Sequence, residues 1–175
     1  MRSAGIAETA SEGDIETAAT FEENALAKAR YFAHLSGMPT LADDSGLEVQ
    51  ALDGAPGVLS KRWSGRPDLS GQALDDENNR LLLARLAGVE NRAARYVCAA
   101  AYCGGEQHRE HVARGETAGW ISEAPSGTGG FGYDSCFTSA ELGRTFGNLS
   151  MDEKALVSHR ARAFAKLLQH IAQER

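Results

Sequence analysis

The sequence predicts a single α/β domain, because helical and strand-like patterns follow one another along the whole chain. Two of the helical segments open with capping boxes, at 20–23 and 150–153, where a hydroxyl and a Glu carboxylate can satisfy free amide groups. The apolar stretch 93–103 is the clearest strand. A chain of 175 residues is long enough for one domain with a sizeable core, and no linker or repeat divides it.

The individual elements follow from periodicity and from the residues that start and stop them. We expect helices from about Phe21 to Gly37, over about 71–87 after Ser70, and from residue 151 onward. We expect strands in the intervening stretches, at 39–42, 47–51, 93–103, 120–121 and 133–137. A further strand is expected to pair with 93–103, running from a hairpin turn at Gly104-Gly105 to about residue 116.

Composition excludes several classes of partner and location. The net charge of −6 leaves no basic surface for duplex nucleic acid or an anionic membrane. The longest apolar runs are too short to span a membrane, and the first residues lack the apolar core of a signal peptide. Three cysteines in apolar stretches, without the close pairs of zinc sites, indicate buried thiols. A cytoplasmic protein is therefore expected.

An acidic pair, Asp43 and Asp44, lies between two short apolar runs. We expect it at a bend between two strands. Adjacent carboxylates raise each other's pKa unless a cation or hydrogen-bond donors compensate them, and a divalent metal bound through oxygen is a common solution. The alternative is a solvated turn, because Asp, Ser and Gly are the residues that turns use.

A glycine-rich loop at 125–134 contains the pattern G-x-G-x-x-G at Gly127, Gly129 and Gly132. A dinucleotide-binding fingerprint must open a helix directly after a strand, whereas this loop leads into the aromatic, strand-like stretch 133–137. A loop that ends in two aromatic residues and a carboxylate instead suits stacking of a flat ring and acceptance of its N–H hydrogens. The alternative is a hairpin whose aromatic residues pack in the core.

The C-terminal helical segment collects cations and donors at Lys154, Ser158, His159 and Arg160. Such a group is most often a solvated helix face.

Taken together, several segments resemble the inosine/xanthosine triphosphate pyrophosphatases, also called XTP/dITP diphosphatases. The segments are 20–25 with Lys28, 42–47, 54–58, 77–79, 130–134, and Glu153-Lys154 with Ser158-His159-Arg160, in the same order as in that family. The resemblance runs from about Glu16 to the C-terminus. It implies a mixed twisted sheet with flanking helices, two lobes around a central nucleotide-binding cleft, and a homodimer. It also implies hydrolysis of ITP, dITP or XTP to the monophosphate and pyrophosphate.

The resemblance also assigns roles to individual residues. Asp44 matches the general base, which activates water and helps to hold Mg²⁺, and Glu16 matches a second metal ligand. The matched substrate contacts are Ser45 after the base, the base-stacking segment Phe131, Gly132, Tyr133 and Asp134, and further nucleotide contacts at Lys154, His159 and Arg160.

The chain departs from the family before Glu16, where the opening strand and a Gly-Asn-x-x-Lys phosphate loop are not found. We therefore expect residues 1–175 to form one domain that is shortened at its N-terminus relative to the family. A purine nucleoside triphosphate is the expected partner. The alternative is a nucleotide-binding or dimer-forming homologue with little or no catalytic activity.

Overall fold

The described part of the protein is a four-stranded sheet with helices on both faces. The computed structural model describes residues 15–104 and 109–173. The strands are β1 (Thr40–Val49), β2 (Ala93–Gly104), β3 (Arg109–Ile121) and β4 (Phe137–Ser139), in the spatial order β1-β2-β3-β4. The helices are α1 (Phe21–Ser36), α2 (Gly71–Arg85), α3 (Met151–Val157) and α4 (His159–Gln173). The predicted α/β class is confirmed.

All strand pairs among the described residues are antiparallel. The parallel pairing that the expected mixed sheet includes is therefore not found among them. A parallel pair needs a crossover of a dozen or more residues, whereas only 105–108 separate β2 from β3. The turn expected at Gly105, and everything predicted for residues 1–14, lies outside the described residues.

The predicted helix starts are found where the sequence placed them. The Thr20 hydroxyl oxygen accepts from the backbone N–H of Glu23 at 3.2 Å, and α1 ends at Gly37 in the left-handed conformation (φ 64°). The return contact differs from the prediction, because the Thr20 hydroxyl donates to the Glu23 carboxylate instead. At Ser150 both halves of the capping box are formed. The extended backbone of Ser158 divides the C-terminal helical segment into α3 and α4.

The predicted position of the acidic pair was wrong. Asp43 and Asp44 lie in the middle of β1, where they pair with Ala100 and Ala99 of β2. Neither a bend nor a solvated turn is present, because β1 pairs with β2 along all of its 10 residues. This continuous pairing overrides the turn preference of Asp-Ser-Gly. Consecutive residues of a strand point to opposite faces, so the two carboxylates diverge.

Two other strand predictions need correction. The stretches to 116 and at 120–121 belong to one strand, β3. The stretch 133–137 is mostly turn: the amide N–H of Cys136 donates to the carbonyl of Tyr133 at 2.9 Å, and β4 begins only at Phe137. Tertiary contacts therefore hold the aromatic residues of this stretch in a turn, although aromatic residues favour strands.

The core has three parts. α1 packs on one face of the sheet, where Ala25 lies in one apolar cluster with the odd-numbered residues of β2 from Val97 to Cys103. α4 packs on the other face, where Ala163 clusters with Cys98 and Ala100. A third cluster adjoins α2 and β4 and includes Leu47, Val49, Leu82, Leu86, Tyr96, Ile121, Phe137 and Phe146.

The three cysteines are buried and free, as predicted. Burial raises the pKa of the Cys98 thiol to about 12, so it stays protonated at neutral pH.

The first residue of α4 is placed by a close approach to β3. A Cβ added at Gly115 would lie 2.2 Å from the carbonyl oxygen of His159, which is closer than real Cβ atoms come. Glycine at this position therefore lets the helix rest directly on the strand. The contact fixes where His159 and Arg160 enter the site described next.

Candidate active site

The site residues predicted from the sequence all line one cleft, of about 520 Å³. They are Glu16, Asp44, Ser45, Phe131, Gly132, Tyr133, Asp134, Lys154, His159 and Arg160. Two groups of side chains form its walls. We call Glu16, Lys28 and Asp44 the acidic cluster, and Tyr96, Phe131, Lys154 and His159 the aromatic cluster.

Asp44 is the most buried member of the acidic cluster, with 8% of its surface exposed. Its carboxylate accepts from Asn24 Nδ2 at 3.1 Å and from Lys28 Nζ at 3.2 Å, both on α1. Burial raises the pKa of Asp44 above its ordinary value, although Lys28 and Asn24 oppose this shift. A carboxylate with a raised pKa and a cation within reach can accept a proton from water.

Lys28 joins the two carboxylates of the acidic cluster. Its Nζ lies 2.6 Å from Glu16 Oε1 and 3.2 Å from Asp44 Oδ1. Burial lowers the pKa of this ammonium, but the carboxylates outweigh burial, so the pKa is raised overall. Arg62 adds a weaker contact, 3.4 Å from Glu16 Oε2. The cluster therefore holds negative charge that a cation already neutralises.

The donor set of the acidic cluster fits a magnesium ion that is shared with a ligand. Glu16 and Asp44 offer carboxylate oxygens around one cationic position, and Mg²⁺ prefers such oxygens. Within 15–104 and 109–173, no group of three or more His, Cys, Asp or Glu side chains can hold a metal ion alone. Mg²⁺ commonly keeps several waters and takes one or two carboxylates together with substrate phosphates. The acidic cluster offers two carboxylates, which matches that number.

The ring of Phe131 is the accessible apolar surface of the aromatic cluster, with 69% of the residue exposed. The Lys154 ammonium lies 5.2 Å from its centroid. By contrast, Tyr133 is 3% exposed and donates from its hydroxyl to the carbonyl of Ser60 at 2.8 Å. The core-packing alternative thus holds for Tyr133, whereas Phe131 presents a free face for stacking.

Asp134, three residues after Phe131, is buried, with 3% exposure. Its Oδ2 accepts from the backbone N–H of Phe131 at 2.9 Å and from the Lys154 ammonium, and its Oδ1 accepts from the Tyr96 hydroxyl at 3.3 Å. The carboxylate thus ties together three separate parts of the chain.

Two side chains one turn apart on α2 hold the glycine of this loop. The Gly132 N–H donates to Asp75 Oδ2 at 2.7 Å, and Asn79 Nδ2 donates to the Gly132 carbonyl at 2.8 Å. Gly132 itself has φ 61°, which a residue with a Cβ rarely adopts. The turn that presents Phe131 is therefore fixed from both sides.

His159 and Arg160 enter the cleft from the start of α4. Burial, together with the charges of Arg160 and Lys154, lowers the pKa of His159 to about 4, so its imidazole is neutral at pH 7. Arg160 donates to Asp43 Oδ2 from Nε at 3.0 Å and from Nη2 at 2.8 Å. Ser45 donates to the same oxygen at 3.0 Å. Asp43 therefore orients two of the predicted contacts from the face opposite Asp44.

Sequence reasoning gave no role to Asn24, Lys28, Asp75 or Tyr96, and it named Asp43 only as a member of the acidic pair. Lys28 was part of the segments that carry the family resemblance, but it had no role of its own. One signal could have found it, because Asn24 and Lys28 are four residues apart and therefore share a helix face. The other three depend on tertiary contacts that the local sequence does not show.

The family model of the Ham1 family matches residues 3–170. The chain belongs to the Ham1 family. A Syntrophobacter fumaroxidans protein named dITP/XTP pyrophosphatase is 49% identical over 162 residues, covering 91% of this chain and 66% of that protein. A Geobacter sulfurreducens protein of the same name is 48% identical over 160 residues, covering 89% of this chain and 76% of that protein. The resemblance found in the sequence is thus confirmed.

A solved Ham1-family structure has the same fold. The Staphylococcus aureus Ham1 protein superposes with a TM-score of 0.82 at 37% identity, covering 91% of this chain and 80% of that one. As for the membrane, none of the described helices combines the length and apolar character that crossing a bilayer requires.

Proposed function

We propose that this Ham1-family protein hydrolyses deaminated purine nucleoside triphosphates, namely dITP, ITP and XTP, to the monophosphate and pyrophosphate. The observation that carries the proposal is the cleft itself, which a buried carboxylate, Asp44, shares with the exposed ring of Phe131. The reacting phosphate would lie at the acidic cluster and the purine at the aromatic cluster. The names of the relatives, dITP/XTP pyrophosphatase, support this substrate class.

The acidic cluster supplies the chemistry. Asp44 acts as the base that accepts a proton from the water that attacks phosphorus. Phosphoryl transfer needs little covalent help, so positioning and neutralisation of charge provide most of the rate enhancement. Lys28, already held between two carboxylates, lies where its ammonium can also contact phosphate oxygens.

We propose Mg²⁺ as the cofactor, held by Glu16 and Asp44 together with the phosphates. When bound, it neutralises charge on the phosphate oxygens and favours ionisation of the attacking water. The Glu16 and Asp44 carboxylates would thus lie near a cation in both states, Lys28 in the free protein and Mg²⁺ when nucleotide is bound.

Base selection follows from hydrogen-bond complementarity. Hypoxanthine and xanthine present a 6-oxo acceptor and an N1–H donor, whereas adenine presents the reverse. We propose that the purine stacks on Phe131 and that its 6-oxo group accepts from a backbone N–H, His159 or Arg160. Each buried mismatch costs about 1–3 kcal/mol, so two of them give strong discrimination against dATP.

We further propose a cytoplasmic homodimer. Three buried free thiols suit a reducing compartment. A dimer would elute from size-exclusion chromatography at twice the 18.6 kDa of one chain.

The proposal is tested with purified protein, Mg²⁺, and dITP, XTP and dATP as substrates. We expect pyrophosphate, not orthophosphate, from dITP and XTP, with dATP at least about 100-fold slower. Asp44→Asn should lower this activity about 10³-fold, whereas Asp53→Asn, at an exposed aspartate outside the cleft, should not change it. Saturable dITP binding without turnover would favour the non-catalytic alternative, and equal turnover of dATP would contradict the proposed selectivity.

A further inference from the structure

Tyr96 on β2 contacts three residues around the cleft, namely His159, Phe146 and Asp134, although no sequence motif pointed to it. It is 8% exposed and lines the cleft. Its ring is parallel to the imidazole of His159, with centroids 4.8 Å apart and planes 7° apart. It also stacks on Phe146 at 5.6 Å. The imidazole is therefore held against a rigid aromatic surface.

The Tyr96 hydroxyl makes a separate contact with Asp134. It donates to Oδ1 at 3.3 Å, while Phe131 and Lys154 both donate to Oδ2. The phenol therefore engages the oxygen that the other two donors do not use. This contact opposes rotation of the carboxylate about its Cβ–Cγ bond. Such a rotation would disturb the hydrogen bonds from Phe131 and Lys154.

Burial strengthens the hydrogen bond from the Tyr96 hydroxyl to Asp134. Burial and the neighbouring Asp134 charge keep the pKa of Tyr96 well above its ordinary value, so the phenol remains a donor. A buried hydrogen bond to a charged group is costly to lose, because the carboxylate oxygen cannot exchange it for bulk water.

From this geometry we propose that Tyr96 is a positioning residue for purine recognition. Its ring sets the plane of the His159 imidazole, and its hydroxyl locks Asp134, which in turn places Phe131 and Lys154. The inference rests on the proposed function, since it assigns a new residue to the same nucleotide site. Tyr96 lies on the face of the sheet opposite Asp44, so its effect should fall on base binding more than on the chemical step.

The test separates the hydroxyl from the ring. Tyr96→Phe removes only the hydrogen bond, and Tyr96→Leu removes the stacking as well. Tyr102→Phe is the matched control, because it deletes a hydroxyl on the same strand at a residue outside the cleft. Calorimetry gives the Kd values of dIMP and dAMP, steady-state kinetics give KM and kcat for dITP, and thermal unfolding gives the Tm.

We expect Tyr96→Phe to raise the Kd of dIMP and the KM of dITP about tenfold, with a smaller change in kcat and a reduced preference for dIMP over dAMP. Tyr96→Leu should weaken dIMP binding further and should shift the His159 ring signals in NMR spectra. The control should match the wild type.

Wild-type dIMP affinity and selectivity in Tyr96→Phe would overturn the inference. Equal losses for dIMP and dAMP, with a parallel fall in Tm, would also overturn it, because they indicate a purely structural role. If Tyr96→Leu does not fold, Tyr96→Phe decides the question alone. The proposed function fails separately, if the wild type binds dIMP selectively but releases no pyrophosphate from dITP.

Discussion

Replacing Lys28 by Met tests whether the acidic cluster depends on a cation. Lys28→Met keeps most of the side-chain volume but leaves the Glu16 and Asp44 carboxylates facing each other without the ammonium between them. The side chains of the three residues are 10–13% exposed. Removing one partner of a fully buried ion pair costs about 3–5 kcal/mol. Because the cleft admits water, we expect about 2–3 kcal/mol here.

The assay is thermal unfolding at several pH values, with and without Mg²⁺. A loss of this size lowers the Tm by about 4–12 °C for a chain of this length. Because the pKa of Lys28 is raised in the folded protein, Lys28 contributes its full stabilisation at every pH below the ordinary lysine pKa. Lys28→Met should therefore lose all of this stabilisation at pH 7. The raised pKa of Asp44 means that acid relieves its burial cost, so the deficit should shrink as the pH falls toward 5.

Magnesium gives the more specific readout. If Glu16 and Asp44 bind Mg²⁺, the ion should stabilise Lys28→Met more than the wild type, in which the ammonium competes for the same oxygens. An ion at ten times its Kd contributes about 1.4 kcal/mol. Lys166→Met is the matched control, since that exposed lysine lies outside the cleft and donates to the Arg114 carbonyl. An unchanged Tm that responds to neither pH nor Mg²⁺ would refute the reasoning.

Three further outcomes are expected. Asp44→Asn should lower kcat about 10³-fold through loss of the base while the Tm stays within a few degrees, and retained turnover would exclude Asp44 as the base. Asp75→Ala should raise the KM of dITP about fivefold to tenfold by freeing the Gly132 N–H, whereas the exposed neighbour variant Asp76→Ala should not, and equal effects would exclude the clamp. The lowered pKa of His159 means that the unfolded chain binds its proton more tightly, so stability falls as the pH drops from 6.5 toward 4; denaturant unfolding of His159→Asn should show a weaker fall, and an identical pH profile would contradict this.

Local hydrogen-bond patterns allowed part of the fold to be predicted from the sequence. The starts of α1 and α3 depend on contacts three residues apart, at Thr20 and Ser150, so the sequence shows both partners. The glycine that ends α1 is equally local. The family resemblance predicted the site residues as a group, and in the structure all of them line the same cleft.

Features that depend on distant pairing could not be predicted. Asp43 and Asp44 look like turn residues, and only pairing with β2, far along the chain, makes them strand residues on opposite faces. This difference separates their roles, because Asp43 contacts Arg160 while Asp44 contacts Lys28. In the sequence, Tyr96 is likewise an aromatic residue typical of a strand. Its contacts with His159 and Asp134 form only because the fold brings β2, α4 and the loop that contains Asp134 together.

The most direct test of the account is the position of a bound nucleotide. A crystal structure of Asp44→Asn with dITP and Mg²⁺ would trap the substrate before hydrolysis. We expect the purine against the ring of Phe131 and the triphosphate beside Glu16, Lys28 and residue 44, with the metal between carboxylate and phosphate oxygens. A nucleotide bound elsewhere, or with its base at the acidic cluster, would contradict the central claim that one cleft joins the two ends of the substrate.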